Sequence, residues 1–398
     1  MMLPAVHLIR PTIAEHLQPI ARFTADVFSD GNYADQFRDN YIGNSHYDWE
    51  TSRLVMDGEQ IIHHWGVWGY AMRVESILLR IAGVGAVATH PQYRVQGWMH
   101  QAAADSCAAM AQAGYDLSIL RGRHYAKIGY ARAWNYVHYR LKLDELPLDG
   151  PPKPYRPLEA ARVNEMDALY NQTHAGFTGV AIRPTYRNRH PDDIGVYAWF
   201  DADDRLAGYI RALPDEDAPK TLLCLEAAGD PYQGLAVMAE LYQQGGYEGL
   251  ACFTLPHLHP LLHLLRRGAC VVEDRYFAVS GWRVRLINLA GALRKLVPLF
   301  EARLAQSQFA GWSGSLLLDS GEQQAILQIG RGAVAVAQPG TAPNLLSAGP
   351  ALARLLIGSD EPDEIIHQEA MRCTGLALPL VRVLFPNLHP MMSHWDEY

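Results

Sequence analysis

Two residues that can bind an anion, Arg94 and Gly97, lie three positions apart in a short polar stretch. The stretch follows an apolar segment with β-branched residues and precedes a segment with helical spacing. At such a junction the unbonded N–H groups of the first helical turn, and the positive end of the helix dipole, face the loop. Arginine adds a fixed positive charge with several donors, and glycine lacks the Cβ that would hold a phosphate away from the backbone. The junction therefore predicts a pyrophosphate site.

A tyrosine on the next strand–helix unit, Tyr125, is a candidate proton donor. It lies in the run GRHYAKIGYARA, residues 122–133, which is predicted to begin a helix after the short strand SIL. A phenol with a pKa of about 10 can act as a general acid, and help of this kind contributes roughly 10²–10⁴-fold in rate. The chain has 20 tyrosines, so only the spacing from the anion-binding turn distinguishes Tyr125 from a buried structural tyrosine.

Histidines near these residues are candidate general bases, and most of them are predicted to be structural. His124 adjoins Tyr125, but neighbouring residues on a helix point in different directions, so it is the weaker candidate. The candidates are His63, His64, His90, His100 and His124.

Hydrophobic periodicity predicts the elements that position these residues. The Asp57-Gly58 dipeptide predicts a tight hairpin turn, and a proline-rich run, LPLDGPPKPYRP, marks the first domain boundary. Before that run, helices are predicted at about 13–28 and 99–111, and strands at 5–10, 52–56, 60–65, 70–76, 77–89, 117–120 and 131–141.

The order of elements then repeats in weaker form, which predicts a second copy of the first domain. Its helices are predicted at 158–174, 234–244 and 259–267, and its strands at 196–200, 205–213, 222–227 and 250–254. From Trp282 an amphipathic helix and further strands predict a third domain with a mixed sheet. The sequence thus predicts an α/β protein with mixed sheets and three domains, at 1–150, 151–281 and 282–398.

Composition excludes several classes of function. The formal net charge of -8 argues against binding of nucleic acid, because that affinity needs clustered Lys and Arg. The five cysteines form no C-x-x-C pair, so neither a metal site nor a disulfide framework is predicted. No apolar run approaches the roughly 18 residues of a membrane span, and no targeting segment is recognised at the start. The expected compartment is the cytoplasm, with no membrane partner.

The anion-binding turn resembles that of the GNAT superfamily of N-acetyltransferases, which reads Q/R-x-x-G-x-G/A between a strand and a helix. The matching residues are Arg94, Val95, Gln96, Gly97, Trp98 and Met99, with Met99 in place of the usual small residue. The resemblance implies that acetyl-CoA binds here. It also implies that the pantetheine arm pairs with the backbone of a splayed strand, supplied by Val87, Ala88 and Thr89, where a bulge would direct an N–H to the thioester oxygen. The run Y-x-x-x-G-Y resembles a second GNAT element, whose first tyrosine protonates the cofactor sulfur, and that residue is Tyr125.

Over its full length the chain resembles the enhanced intracellular survival family of acetyltransferases. That resemblance implies tandem GNAT domains, the second of them degenerate, followed by a domain like a sterol carrier protein. It implies that the C-terminal carboxylate, here of Tyr398, enters the active site as the general base, and that the chain forms a homo-oligomer, a trimer or hexamer. The second domain lacks an R-x-x-G after its matching strand, so no cofactor is expected there.

The expected function is therefore acetyl transfer from acetyl-CoA to a primary amine. An aminoglycoside, a polyamine and a lysine-like acceptor all remain open, because the pocket residues come from three domains. Two alternatives come from other classes: a lipid or sterol carrier, and a CoA-binding protein without chemistry. The second alternative would keep Arg94 and Gly97 but would not require Tyr125.

Overall fold

The computed structural model describes residues 7–148, 150–185, 195–277 and 280–397. They form a mixed α/β structure with three sheets, of seven, seven and five strands, so the predicted fold class is confirmed. The strands are β1 (His7–Pro11), β2 (Arg53–Asp57), β3 (Gln60–Val74), β4 (Ile77–Thr89), β5 (Leu117–Arg121), β6 (Ala131–Arg132), β7 (Tyr136–Leu141), β8 (Arg156–Pro157), β9 (Val196–Phe200), β10 (Leu206–Pro214), β11 (Leu222–Ala228), β12 (Ala251–Phe253), β13 (Val271–Arg275), β14 (Trp282–Leu286), β15 (Gly314–Asp319), β16 (Gln324–Gly330), β17 (Ala333–Ala337), β18 (Asn344–Ser347) and β19 (Arg372–Thr374).

Ten α-helices pack against these sheets within the described ranges. They are α1 (Leu17–Ser29), α2 (Ala34–Gln36), α3 (Trp98–Gln112), α4 (Val163–Thr173), α5 (Pro231–Gln244), α6 (Pro260–Leu265), α7 (Leu289–Ala305), α8 (Leu352–Ile357), α9 (Pro362–Gln368) and α10 (Ala377–Leu384). A π-helical turn at Phe37–Gly43 follows α2. In the part of the chain that the structure describes, no helix combines the length and apolar character of a membrane span.

The first sheet has the order β1-β2-β3-β4-β5-β14-β6. The hairpin around Asp57-Gly58 forms as predicted, but the separate strands expected at 60–65 and 70–76 are one long strand, β3. Strands β4 and β5 are parallel and pair from Ile81↔Leu117 to Val84↔Leu120. Because β4 then runs on to Thr89, the C-terminal ends of the two strands leave an opening at this edge of the sheet.

The second sheet repeats this order as β8-β9-β10-β11-β12-β7-β13, again with one parallel pair at its centre, β11 and β12. The two sheets exchange a strand: β7 lies beside β12 in the second sheet, and β14 lies beside β5 in the first. The prediction of a single outer strand at 131–141 is therefore wrong. It is divided into β6 and β7 because Trp134 turns into the core and packs 5.7 Å from Trp282, between ring centroids.

The third sheet has the order β17-β16-β15-β18-β19 and is covered by α7 and α10. Its core is continuous with one face of the first sheet: Leu316 and Leu346 belong to the same buried cluster as Met72 and Ile81. The third region therefore packs directly on the first. The domain ranges 1–150, 151–281 and 282–398 stay predictions, and the exchanged strands cross two of their boundaries.

Candidate active site

The anion-binding turn connects β4 to α3 in the first sheet. After a short 3-10 turn at Pro91–Tyr93 the chain reaches Gly97, the N-cap of α3, which has a φ of +86°. This left-handed conformation favours glycine. The first helical turn holds Trp98, Met99 and His100 and so brings no carboxylate to the helix N-terminus. The strand, turn and helix therefore form as the sequence predicted, with the positive end of the helix dipole facing the turn.

Arg94 lies at the exposed mouth of this turn. Its Nε donates to the carbonyl oxygen of Thr89 at 3.4 Å, which ties the side chain to the end of β4. Gln96 Nε2 donates to the carbonyl oxygen of Gln92 at 3.2 Å. An added Cβ on Gly97 would come no closer than 4.0 Å to Gln101 Nε2. The space beside the helix N-terminus is therefore open, and a positive charge borders it.

A bulge interrupts the pairing of β3 with β4 just before Val87. Gly66 pairs with Gly85 and His64 pairs with Ala88, so Ala86 and Val87 lie in the irregular part of the strand. Ala86 has a φ of +47°. The predicted bulge is thus present, and it frees backbone groups of Ala86 and Val87 from the regular ladder.

His64 stabilises the bulge through hydrogen bonds of its imidazole ring. Its Nδ1 lies 2.8 Å from the carbonyl oxygen of Ala86, and its Nε2 lies 2.8 Å from the hydroxyl of Tyr47. Because a carbonyl can only accept, Nδ1 carries the proton and Nε2 accepts from Tyr47. Burial lowers the pKa of His64 to about 4, so the ring is neutral at physiological pH. His64 is a structural residue of the bulge.

The other candidate bases lie in different settings. His63 is buried, its Nδ1 lies 2.8 Å from Thr89 Oγ1, and burial lowers its pKa to about 3. His90 accepts from the backbone N–H of Gln92 at 3.4 Å. His124 Nε2 accepts from Arg123 Nε at 3.3 Å, and His100 is exposed on α3. The structure thus assigns His63 and His90 to the framework of the turn.

Tyr125 lies on the same face of the first sheet as α3. Its ring packs edge-on against Trp65, with 5.9 Å between centroids, and lies 6.2 Å from Tyr130. The expected helix is a single 3-10 turn, His124–Ile128, because Gly129 ends it with a φ of +81°. Burial raises the pKa of Tyr125 to about 12. The phenol therefore keeps its proton at neutral pH, as a proton donor must.

The last described residues of the C-terminal segment contact the C-terminal end of β5. Tyr398 lies outside the described residues. Glu397 accepts from the hydroxyl of Tyr136 at 2.6 Å and from Nη1 of Arg121, the last residue of β5, at 3.4 Å. His394 Nδ1 lies 3.3 Å from the same carboxylate. The described end of the chain is therefore held at the C-terminal end of β5.

A buried ionic cluster fixes this segment to the second sheet. Arg183 donates to Glu226 through Nη1 at 2.7 Å and to Asp396 through Nε at 3.1 Å, and all three side chains are almost completely buried. Ser393 Oγ donates to Glu226 at 2.6 Å. The carboxylates hold the pKa of Arg183 well above its usual value, although burial opposes this. Sequence reasoning missed the cluster, although a glutamate inside the apolar strand LLCLEAA was a signal for it.

A cavity of about 370 Å³ lies on the other face of the first sheet, beside the bulge. Leu54 and Met56 of β2 point to this α1-covered face, whereas Val55 points toward α3. Sequence reasoning missed the cavity because its walls come from α1, the π-helical turn and β4. Within the described ranges, His, Cys, Asp and Glu side chains form no group of three that could hold a metal ion.

Comparison with known families agrees with this geometry. Residues 8–135 match the family model described as an acetyltransferase (GNAT) domain. Residues 8–135 are therefore identified as a GNAT acetyltransferase domain, the protein is an N-acetyltransferase, and such domains use acetyl-CoA. A search of curated protein sequences finds no match to the chain.

Solved structures resemble the chain along nearly its whole length. A GCN5-related N-acetyltransferase from Anabaena variabilis has a TM-score of 0.73 at 17% identity, with 97% of this chain and 99% of that chain covered. A probable N-acyltransferase from Enterococcus faecalis has a TM-score of 0.74 at 16% identity, with 99% and 100% covered. Eis1 from Mycobacterium abscessus has a TM-score of 0.70 at 15% identity, with 99% and 100% covered. At these identities the likeness concerns the fold.

Proposed function

We propose that the protein transfers an acetyl group from acetyl-CoA to a primary amine by direct attack of the amine on the thioester. The observation that carries this proposal is the arrangement around the end of β4. There a bulged strand leads through an arginine-containing turn into a helix N-terminus without acidic residues, and a half-buried, neutral tyrosine lies on the adjoining unit.

The residues of the turn fit the groups of acetyl-CoA. Arg94 and the backbone N–H groups that follow Gly97 would hold the pyrophosphate, with Val95, Gln96, Trp98 and Met99 completing the turn. The backbone of Val87, Ala88 and Thr89 would pair with the pantetheine arm, since β5 ends before it reaches them. The bound acetyl-CoA supplies the activated acetyl group and the thiolate leaving group.

The chain's own groups would move the protons. As the new C–N bond forms and the C–S bond breaks, Tyr125 donates its phenolic proton to the departing sulfur. A backbone N–H freed at the bulge would stabilise the charge that develops on the carbonyl oxygen. The proton lost by the amine would pass to the carboxylate of Tyr398, and the tyrosine would regain its proton from solvent.

Support for Tyr398 as the base comes from the residues that precede it. Glu397 contacts the last residue of β5, and Asp396 is anchored by Arg183, so the chain approaches the opening on a fixed path. This agrees with the proposed membership of the enhanced intracellular survival family, to which the likeness with Eis1 also points. The sterol-carrier-like third domain stays a prediction, and so does the homo-oligomer, for which the exposed Val271 and Val272 on the edge strand β13 offer apolar surface.

Release of free thiol from acetyl-CoA in the presence of an amine tests this function. We expect a short Gly-Ser extension after Tyr398 to lower kcat at least 10-fold with little change in KM for acetyl-CoA, since it replaces the terminal carboxylate with a peptide bond. The same extension at the N-terminus is the matched control and should leave kcat unchanged. Undiminished kcat in the C-terminal extension would contradict the base assignment, and a CoA-binding protein without chemistry would release no thiol.

A further inference from the structure

The cavity beside the bulge has the size and position of an acceptor site. Its volume of about 370 Å³ is within the range of about 300–1,000 Å³ typical of small-molecule sites. It is lined by Phe28, Gln36, Phe37, Asn40, Tyr41 and Ala86. Ala86 belongs to the bulge, directly before the backbone that would pair with pantetheine, so one end of the cavity reaches the expected position of the thioester.

The wall of the cavity is a chain of aromatic rings. Phe28 and Phe37 are stacked with centroids 6.3 Å apart, and Phe37 meets Tyr41 edge-on at 5.6 Å. Tyr41 in turn lies 4.9 Å from the buried ring of Trp68, which anchors the row. Phe28 is nevertheless 54% exposed. Contiguous exposed apolar surface that lines a concavity is typical of a ligand site.

None of the described residues that line the cavity carries a charged side chain. Asp35 and Asp39 are not among these lining residues, and both carboxylates accept from the single guanidinium of Arg38, the first at 2.7 Å. An acceptor with several ammonium groups would lose water on entering this cavity without gaining a carboxylate partner among these described lining residues, which is unfavourable. An aromatic or aliphatic body would instead pack on the ring faces and meet the polar ends of Gln36 and Asn40 at its edge.

We propose that the acceptor is a primary amine on an aromatic or aliphatic body that carries no further charge, and that Phe28 and Phe37 determine this specificity. The inference rests on the proposed acetyl transfer. It assigns the amine to the end of the cavity at Ala86 and the body of the acceptor to the aromatic wall.

A comparison of three amines tests the specificity of the full-length protein. We expect kcat/KM for 2-phenylethylamine to exceed that for spermidine and for kanamycin at least 10-fold. Replacement of Phe37 by alanine should raise KM for 2-phenylethylamine about 10-fold and leave KM for acetyl-CoA unchanged, whereas Phe37→Leu should restore most of the affinity. Tyr33→Ala is the matched control, since Tyr33 is an exposed aromatic residue of the same segment but does not line the cavity.

The outcomes separate this inference from the proposed function. If spermidine or kanamycin is the better acceptor, or if Phe37→Ala affects all three amines equally, the inference is overturned while acetyl transfer stands. Calorimetric titration of 2-phenylethylamine in the presence of CoA gives a readout independent of turnover. Binding that Phe37→Ala weakens, without transfer to any amine, would support the cavity and overturn the proposed function.

Discussion

The two seven-stranded sheets share one strand order but differ where a strand meets its helix. In the first sheet, residues 90–97 separate β4 from α3 and form the turn with Arg94 and Gly97. In the second, only Gly229 and Asp230 separate β11 from α5. Asp230 accepts from the backbone N–H of Tyr232 at 3.0 Å, so the helix N-terminus is capped by a carboxylate of the chain itself. The first copy thus has an open turn bordered by an arginine, whereas the second has a short junction capped by its own carboxylate, which agrees with the proposal of an anion site in the first copy alone.

The sheets also differ on the face opposite this helix. Both have an irregular register at the equivalent strand pair, at Ala86 in the first and near Glu226 in the second. In the first sheet this region borders an open cavity, whereas in the second it holds the Arg183 cluster. Trp395 of the C-terminal segment packs there among apolar residues of β9, β10 and α4. The second copy thus binds the C-terminal segment at the place where the first copy has an open cavity, so equivalent regions of the two sheets have different contents.

The largest expected effect concerns the proton donor, which only the first copy should possess. Tyr125→Phe should lower kcat by roughly 10²–10⁴-fold, because it removes the proton donor, and should leave KM for acetyl-CoA within about 2-fold, because it removes little contact area. Tyr232→Phe is the control and should be neutral, because Tyr232 is an exposed tyrosine at the start of α5 in the second copy. An equal decrease of kcat in both variants, or no decrease in Tyr125→Phe, would contradict the assignment of Tyr125 as the proton donor.

The buried cluster of the second copy should matter chiefly for stability. Arg183→Met leaves Glu226 and Asp396 buried without their cation, a change that typically costs about 3–5 kcal/mol in free energy of unfolding. Arg205→Met is the control, because Arg205 is exposed and its ion pair with Asp203 spans 3.9 Å; an exposed pair contributes about 0–1 kcal/mol. Urea denaturation measures both. A cost below about 1 kcal/mol for Arg183→Met would mean that the cluster does not anchor the tail.

Part of this comparison was predictable from sequence. The turn from Arg94 to Met99 and the position of Tyr125 depend on the spacing of residues close together in sequence. A single sequence shows such spacing directly. The exchange of β7 and β14 depends on contacts between residues far apart, and periodicity carries no information about such contacts. Glu226 interrupts an apolar strand, but nothing in the sequence shows that its partners are Arg183 and Asp396.

A smaller effect is expected at Gly97. Valine there should weaken acetyl-CoA binding at least 10-fold, because its side chain would enter the space beside the helix N-terminus and its Cβ is strained at a φ of +86°. Gly246→Val separates the two causes: Gly246 has a φ of +64° with open space around it, but lies after α5. That control should lose similar stability and keep its affinity. Equal affinity in the two variants would contradict the assignment of the anion site.

The smallest expected effect is the absence of an alkaline decrease in rate. Burial raises the pKa of Tyr125 to about 12, so the phenol is protonated below that pH and loses its proton only as the pH rises through about 12. At saturating amine, kcat should therefore not decrease between pH 7 and pH 10. An unperturbed tyrosine with a pKa of about 10 would be half ionised at the upper limit. A twofold decrease by pH 10, absent in Tyr125→Phe, would show that Tyr125 is not held in the buried setting described.

The central claim, that one copy of the fold binds acetyl-CoA and the other does not, is tested most directly by calorimetric titration of the full-length protein with acetyl-CoA. The account predicts a stoichiometry of one acetyl-CoA per chain, with the heat of binding abolished or strongly reduced in Gly97→Val and retained in Gly246→Val. Two acetyl-CoA molecules per chain, or binding that is unaffected by Gly97→Val, would contradict it.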